Sequence, residues 1–298
     1  MLSRWILAPL AAALTTASIA AWQQPTFRAE TRLVVLQATV RDRHGALVPN
    51  LDQSAFTVYE NGKRQPITLF RRDDVPVSIG LVIDNSGSMR TLRAKAEAAS
   101  LAFARASNPL DELFVVNFAD KVHVDVPFTS DVRDLERGIA RVDAIGGTAL
   151  NDALAKAQDY LKKGTRDRRV LVVITDGNEN ASETTAADVE REAERADTVI
   201  YAIGLFGDDP VKLKRGRREL DRLTEKTGGT AYYPTSIDQV DSVVLELARQ
   251  IRQQYTIAYA PTNQVLDGTW RTIRVVAAGR EPLVVHSRAG YRASPALP

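Results

Sequence analysis

The rhythm of apolar and polar residues changes twice along the chain. Between Thr31 and Arg72 it has period two: Val34, Leu36, Ala38 and Val40 fall on one face of an extended strand. A polar turn, Asp42-Arg43-His44-Gly45, follows. Further on, Phe56–Glu60 and Ile67–Phe70 flank Asn61-Gly62, a pair that tolerates positive φ and predicts a hairpin. From Val75 to Arg252 strands alternate with helices. Val77–Ile83 is almost continuously apolar, as in a parallel strand buried on both faces. Leu92, Ala96, Ala99 and Phe103 then keep helical spacing, and Leu150, Leu154, Ala157 and Leu161 repeat it. Leu113–Phe118 and Val122–Phe128 are joined by only Ala119-Asp120-Lys121, which predicts an antiparallel pair. Val170–Ile174 and Thr198–Ile203 read as further buried strands. Ser236 and Gln239 have capping-box spacing before Ile237, Val240, Val244, Leu247 and Ile251, the last helix. After Gln253 the rhythm returns to β at Tyr255–Tyr259, Thr272–Val276 and Leu283–Ser287.

Alternating strands and helices specify an α/β fold with a doubly wound, mostly parallel sheet. This domain spans 75–252. It is inserted between an N-terminal β segment, 31–72, and a C-terminal one, 253–293. Neither segment has enough strands for a sandwich alone, so the two are expected to pack together as a small β-sandwich. The alternative is two separate extensions of the central sheet.

The first residues follow another pattern. Arg4 precedes an apolar stretch from Trp5 to Ala21, and Ser18-Ile19-Ala20 offers small residues at cleavage positions. Residues 1–20 read as a secretory signal peptide, so the protein is expected to be exported, periplasmic or extracellular. A retained N-terminal membrane anchor is the alternative, but the stretch is short of the roughly 20 apolar residues that span a bilayer and contains Pro9. No later segment is apolar for long enough to span one.

Composition narrows the chemistry. The chain has 298 residues, 39 basic and 37 acidic, for a net charge of +2. That balance gives no electrostatic footprint for nucleic acid. The absence of cysteine excludes disulfides, thiolate catalysis, iron–sulfur clusters and cysteine-ligated zinc. His44, His123 and His286 are the only histidines and lie far apart in sequence. The basic run Lys212, Lys214, Arg215, Arg217, Arg218 and Arg222 reads as the solvated face of a helix that buries Leu220 and Leu223.

Three short elements carry the candidate chemistry. Asp84-Asn85-Ser86-Gly87-Ser88 begins where the first buried strand ends. Gly146-Gly147-Thr148 precedes the Leu150 helix, and Thr175-Asp176-Gly177 ends the Val170 strand. In an open α/β sheet ligands bind outside the carboxyl ends of the strands, where these elements are delivered. Asp84, Ser86, Ser88, Thr148 and Asp176 supply two carboxylates and three hydroxyls, hard oxygen donors suited to Mg²⁺ or Mn²⁺.

The order Asp84-x-Ser86-x-Ser88, Thr148, Asp176 resembles the metal-ion-dependent adhesion site of von Willebrand factor type A domains, as found in integrins. The flanking Asn61-Gly62-Lys63, Gln254-Tyr255 and Arg288-Ala289-Gly290-Tyr291-Arg292 are similar to a secreted bacterial subgroup described in acidobacteria. The resemblance implies six strands, five parallel and one antiparallel, and a site for Mg²⁺, Mn²⁺ or Ca²⁺. It also implies that Ser86 and Ser88 bind the metal directly. Thr148 would bind directly or through water, and Asp84 and Asp176 mainly through coordinated waters.

The expected function is divalent-metal-dependent protein binding, with an Asp or Glu of a partner protein completing the metal shell. A scaffold subunit of a bacterial envelope complex is the alternative. A metal-dependent hydrolase is the remaining class: no nucleophile, zincin, P-loop or dinucleotide motif is present, and Glu179 is the only nearby general-base candidate. No enzyme activity is expected.

Overall fold

The computed structural model describes residues 33–72, 74–140 and 145–294. The expected signal segment, 1–20, lies outside them. In chain order the strands are β1 Val34–Arg41, β2 Phe56–Glu60, β3 Lys63–Gln65, β4 Ile67–Arg71, β5 Val77–Asp84, β6 Glu112–Phe118, β7 Val122–Thr129, β8 Arg168–Thr175, β9 Val199–Gly204, β10 Ala231–Tyr232, β11 Tyr255–Tyr259, β12 Trp270–Ala277, β13 Val284–His286 and β14 Gly290–Arg292. The helices are α1 Arg93–Ala106, α2 Val132–Ile139, α3 Leu150–Leu161, α4 Ala186–Arg195, α5 Pro210–Thr227 and α6 Asp238–Arg252.

The central sheet has six strands in the order β10-β9-β8-β5-β6-β7. All neighbours are parallel except β6 and β7, whose short connection allows only an antiparallel return. β5 is buried along its whole length because helices cover both faces. Ile79, Leu81 and Ile83 pack with Phe103 of α1, Leu135 of α2 and Val244 of α6 on one side. On the other, Val82 and Leu171 pack with Leu154 of α3, Val189 of α4 and Leu220 of α5.

The flanking segments interleave. One antiparallel sheet has the order β13-β1-β11-β4, the other β14-β12-β2-β3, so each contains strands from before and after the central domain. β1 pairs with β11 from Val34 opposite Tyr259 to Ala38 opposite Tyr255. The alternating face Val34, Leu36, Ala38, Val40 is buried against Phe56, Val58, Ile257, Ile273 and Val275 in one shared core. The two sheets therefore form one sandwich. The alternative of separate extensions does not occur, because an exposed apolar face on either sheet would cost about 25 cal/mol for each Å² left in water.

Two local expectations are corrected. Asn61 and Gly62 do form the turn, with φ of 47° and 78°, but the strand returning along β2 is the short Lys63–Gln65. Pro66 has no N–H to continue that ladder, and Ile67–Arg71 crosses to pair with β11 in the other sheet. At α6, the residue preceding the helix is Ile237, with no side-chain cap. Gln239 Oε1 instead accepts from the N–H and hydroxyl of Thr235, at 2.9 and 3.0 Å, so the box does not close on Ser236.

Candidate metal centre

The chain leaves β5 toward β6 on one side and leaves β8 toward β9 on the other. A crevice therefore opens between the carboxyl ends of β5 and β8, the switch point of the sheet. Asp84 is the last residue of β5, and Asp176 follows the last residue of β8.

Asp84 is only 1% exposed. Its Oδ1 accepts the Ser86 N–H at 2.8 Å, closing a tight turn, and its Oδ2 accepts the Thr175 hydroxyl at 2.5 Å. Thr175 Oγ1 also accepts the Gly177 N–H at 3.0 Å, so one hydroxyl ties the end of β5 to the loop after β8. Burial pushes the Asp84 carboxyl up to about 6. The hydrogen bonds from Ser86 and Thr175 pull it down, and the charge of Asp176 raises it further. Two buried acidic groups thus lie close enough for their charges to interact.

Ser86 is buried and opens a 3₁₀ turn, Gly87–Thr91, anchored by the buried Met89. Ser88, two residues on, is exposed, and its hydroxyl oxygen lies 3.1 Å from that of Ser86. The second loop is drawn in by main-chain bonds: Gly87 N–H donates to Gly146 O at 3.0 Å and Ile145 N–H to Asn85 O at 3.2 Å. Gly146 has φ of 100°, and a Cβ there would stand 2.9 Å from Asp120 Oδ1, so glycine lets this loop reach the crevice.

Thr148 is buried, and Asn180 grips its backbone from both sides. The Asn180 Oδ1 accepts the Thr148 N–H at 2.9 Å, while the Asn180 N–H donates to Thr148 O at 3.1 Å. Asp176 is 4% exposed, and its Oδ1 accepts the Asn178 N–H at 3.1 Å. The structure thus brings Asp84, Ser86 and Ser88 together on one loop and bonds the loops of Thr148 and Asp176 to each other and to it. Buried carboxylates lie behind, and an exposed hydroxyl stands at the mouth. This donor set fits a small hard dication. It contains no group of three acidic or imidazole ligands, and none occurs among the described residues.

Glu179 is not poised as a base. Its Oε2 accepts the Asn151 N–H at 2.8 Å and the Ser182 hydroxyl at 2.7 Å, and its Oε1 accepts the N–H groups of Ala181 and Ser182. It caps the first turn of α3, whose own preceding residue, Ala149, has no side-chain oxygen. His123 is exposed on β7. The residues that shape the site beyond the five candidates are Thr175 and Asn180. Thr175 lies within the Thr-Asp-Gly tripeptide, a signal that was available; Asn180 carries none.

Residues 79–179, from β5 through β8 to Glu179, match the family model of the von Willebrand factor type A domain. The chain contains a von Willebrand factor type A domain. Inter-alpha-trypsin inhibitor heavy chain H4 of Bos taurus is 24% identical over 230 residues, which cover 70% of this chain and 24% of that protein. The Homo sapiens protein of the same name is 26% identical over 231 residues, again 70% and 24%. The chain thus spans about a quarter of the length of these relatives. Among solved structures, a von Willebrand factor type A protein from Catenulispora acidiphila aligns over 90% of this chain and 75% of its own, with TM-score 0.52 and 14% identity. Proximal thread matrix protein 1 from the mussel byssus aligns over 65% and 51%, with TM-score 0.52 and 19% identity. At these identities the likeness is one of fold. No helix among the described residues is long and apolar enough to cross a membrane.

Proposed function

We propose that the type A domain is a divalent-metal-dependent protein-binding module. Asp84, Ser86, Ser88, Thr148 and Asp176 hold Mg²⁺, Mn²⁺ or Ca²⁺, and an Asp or Glu side chain of a partner protein completes the shell. The observation that carries this reading is the Asp84–Thr175 bond, which sets a buried carboxylate beside Asp176 behind the exposed hydroxyl of Ser88. A bound dication would supply the positive charge that two crowded carboxylates lack. The hydroxyls add oxygen without charge, so the cation stays short of anionic ligands and attracts an external carboxylate. The domain works by binding, not turnover: Glu179, the one candidate base, is spent on a helix cap. The protein acts after export, led by residues 1–20.

The test is a thermal melt of the protein and of Asp84→Ala with Mg²⁺, Mn²⁺, Ca²⁺ or EDTA. Metal at 100 times its Kd adds about 2.7 kcal/mol, a rise of roughly 5–10 °C. Asp84→Ala should show no rise. Equal metal responses in the two proteins would refute the assignment.

A further inference from the structure

At the opposite end of the central sheet lies a cavity of about 970 Å³, walled by the starts of β5, β8 and β9 and by the outer face of β1, β11 and β4. β8 runs from Arg168 in the cavity wall to Thr175 at the metal centre, so the two places lie about 23 Å apart. The sandwich contributes Val35, Leu69 and Ala258, and Trp270 adds an aromatic edge. The central domain contributes Arg166, Arg168 and Arg169.

Arg168 is the anomaly. It is only 6% exposed, and its Nη2 donates to Ile251 O at 2.5 Å and to Gln254 Oε1. Its Nε and Nη1 have no hydrogen-bond partner, and it makes no ion pair among the described residues. Arginine does not shed its proton, and a buried charge without a counter-ion is costly. Arg166 and Arg169 each bury an unpartnered Nε and make no ion pair among the described residues. The acids of the same wall are mostly committed: Asp197 to Arg288, Glu190 to Arg222, and Glu194 to the Arg292 N–H. Asp167 alone stands exposed and uncommitted. One side of the cavity therefore carries three arginine side chains with no ion pair among the described residues, while the other offers apolar surface.

We infer that this cavity binds an anionic amphiphile, a carboxylate or phosphate head carried on an apolar body, with the head against Arg166, Arg168 and Arg169 and the body along Val35, Leu69 and Trp270. This site is independent of the metal centre.

The experiment is calorimetry and thermal melting of the full chain with dodecanoate, dodecyl phosphate, dodecanol and inorganic phosphate, each below its micelle threshold and in EDTA. At least one of the two anionic amphiphiles should bind and raise the melting temperature, and comparing them identifies the preferred head. Dodecanol and inorganic phosphate should bind at least tenfold more weakly. Arg169→Gln should weaken binding about tenfold, and Val35→Trp, which fills the apolar side, should abolish it. Arg168→Met tests the buried charge directly, while the other two variants keep the test open if it fails to fold. Asp84→Ala should bind the amphiphile as the native protein does. Failure of both anionic amphiphiles to bind, equal binding of dodecanol, unchanged binding in Val35→Trp, or loss of binding in Asp84→Ala would each overturn the assignment. None of these results bears on the metal centre.

Discussion

Gly216, in the middle of α5, lies directly against the main chain of Asp176: a Cβ at Gly216 would overlap the Asp176 carbonyl oxygen and crowd the Phe206 ring. Helix α5 can therefore press on the loop that follows β8 only because this residue has no side chain. Gly216→Ala should cost about 1–3 kcal/mol through overpacking, although alanine favours the helix itself. It should also remove the melting rise with Mg²⁺, since the displaced loop carries Asp176. Calorimetric melts with Mg²⁺ and with EDTA check both effects, and an unchanged metal response would show that the loop does not need this contact.

The Asp84 carboxyl makes stability depend on pH in a definite direction. Its folded value of about 6 lies above the ordinary 3.8, so the folded state holds the proton more tightly. The stability gained from this group is complete below about 3.8 and is lost as pH rises through 6, a change of about 3 kcal/mol. In EDTA, the native protein should lose stability relative to Asp84→Asn between pH 4 and pH 7. Mg²⁺ should restore the native protein at pH 7 and do little at pH 4. Denaturant titrations across that range measure the gap, and a gap that does not move with pH contradicts the assigned burial.

Glu179→Gln separates a structural role from a chemical one. The amide keeps one acceptor oxygen but loses the charge favoured at the start of α3, so a destabilisation of about 1 kcal/mol is expected. Metal binding should persist, with its melting rise intact. Complete loss of the metal response would mean that this cap, rather than the five oxygen donors, governs the site.

The sandwich has its own core. Leu36 is fully buried between the two antiparallel sheets. Leu36→Ala should cost about 2–5 kcal/mol by leaving a cavity. Chemical denaturation gives the value, and a loss under 1 kcal/mol would mean that the sheets close over the gap.

The central sheet was legible because β5 and β8 are nearly unbroken apolar runs bounded by acidic residues. Asp84, Ser86 and Ser88 could be grouped because they are local to one turn. The approach of the Thr148 loop to the loop after β8 could be inferred only from where α/β strands end, since the bonds that hold it run through Asn180 and glycine main chain. Other features were hidden for plain reasons. α2 is short and charged, with only Leu135 and Ile139 marking its buried stripe. β3 has three residues, two of them exposed, so no alternation reveals it. The shift of the α6 box to Thr235 depends on chain direction before the helix, which side-chain spacing does not encode.

The interleaving of strands from both flanks has a mechanical consequence. Tension applied at Leu33 or at Ser294 is borne first by the ladders of β1 with β11 and β13, and of β12 with β14 and β2. It reaches the central sheet through the short links from β4 to β5 and from α6 to β11, and through side-chain bonds such as Arg41 to Glu246, Arg288 to Asp197 and the Arg292 N–H to Glu194. The strands of the sandwich act as a clasp that loads before the oxygen-lined crevice at the opposite end of the central sheet.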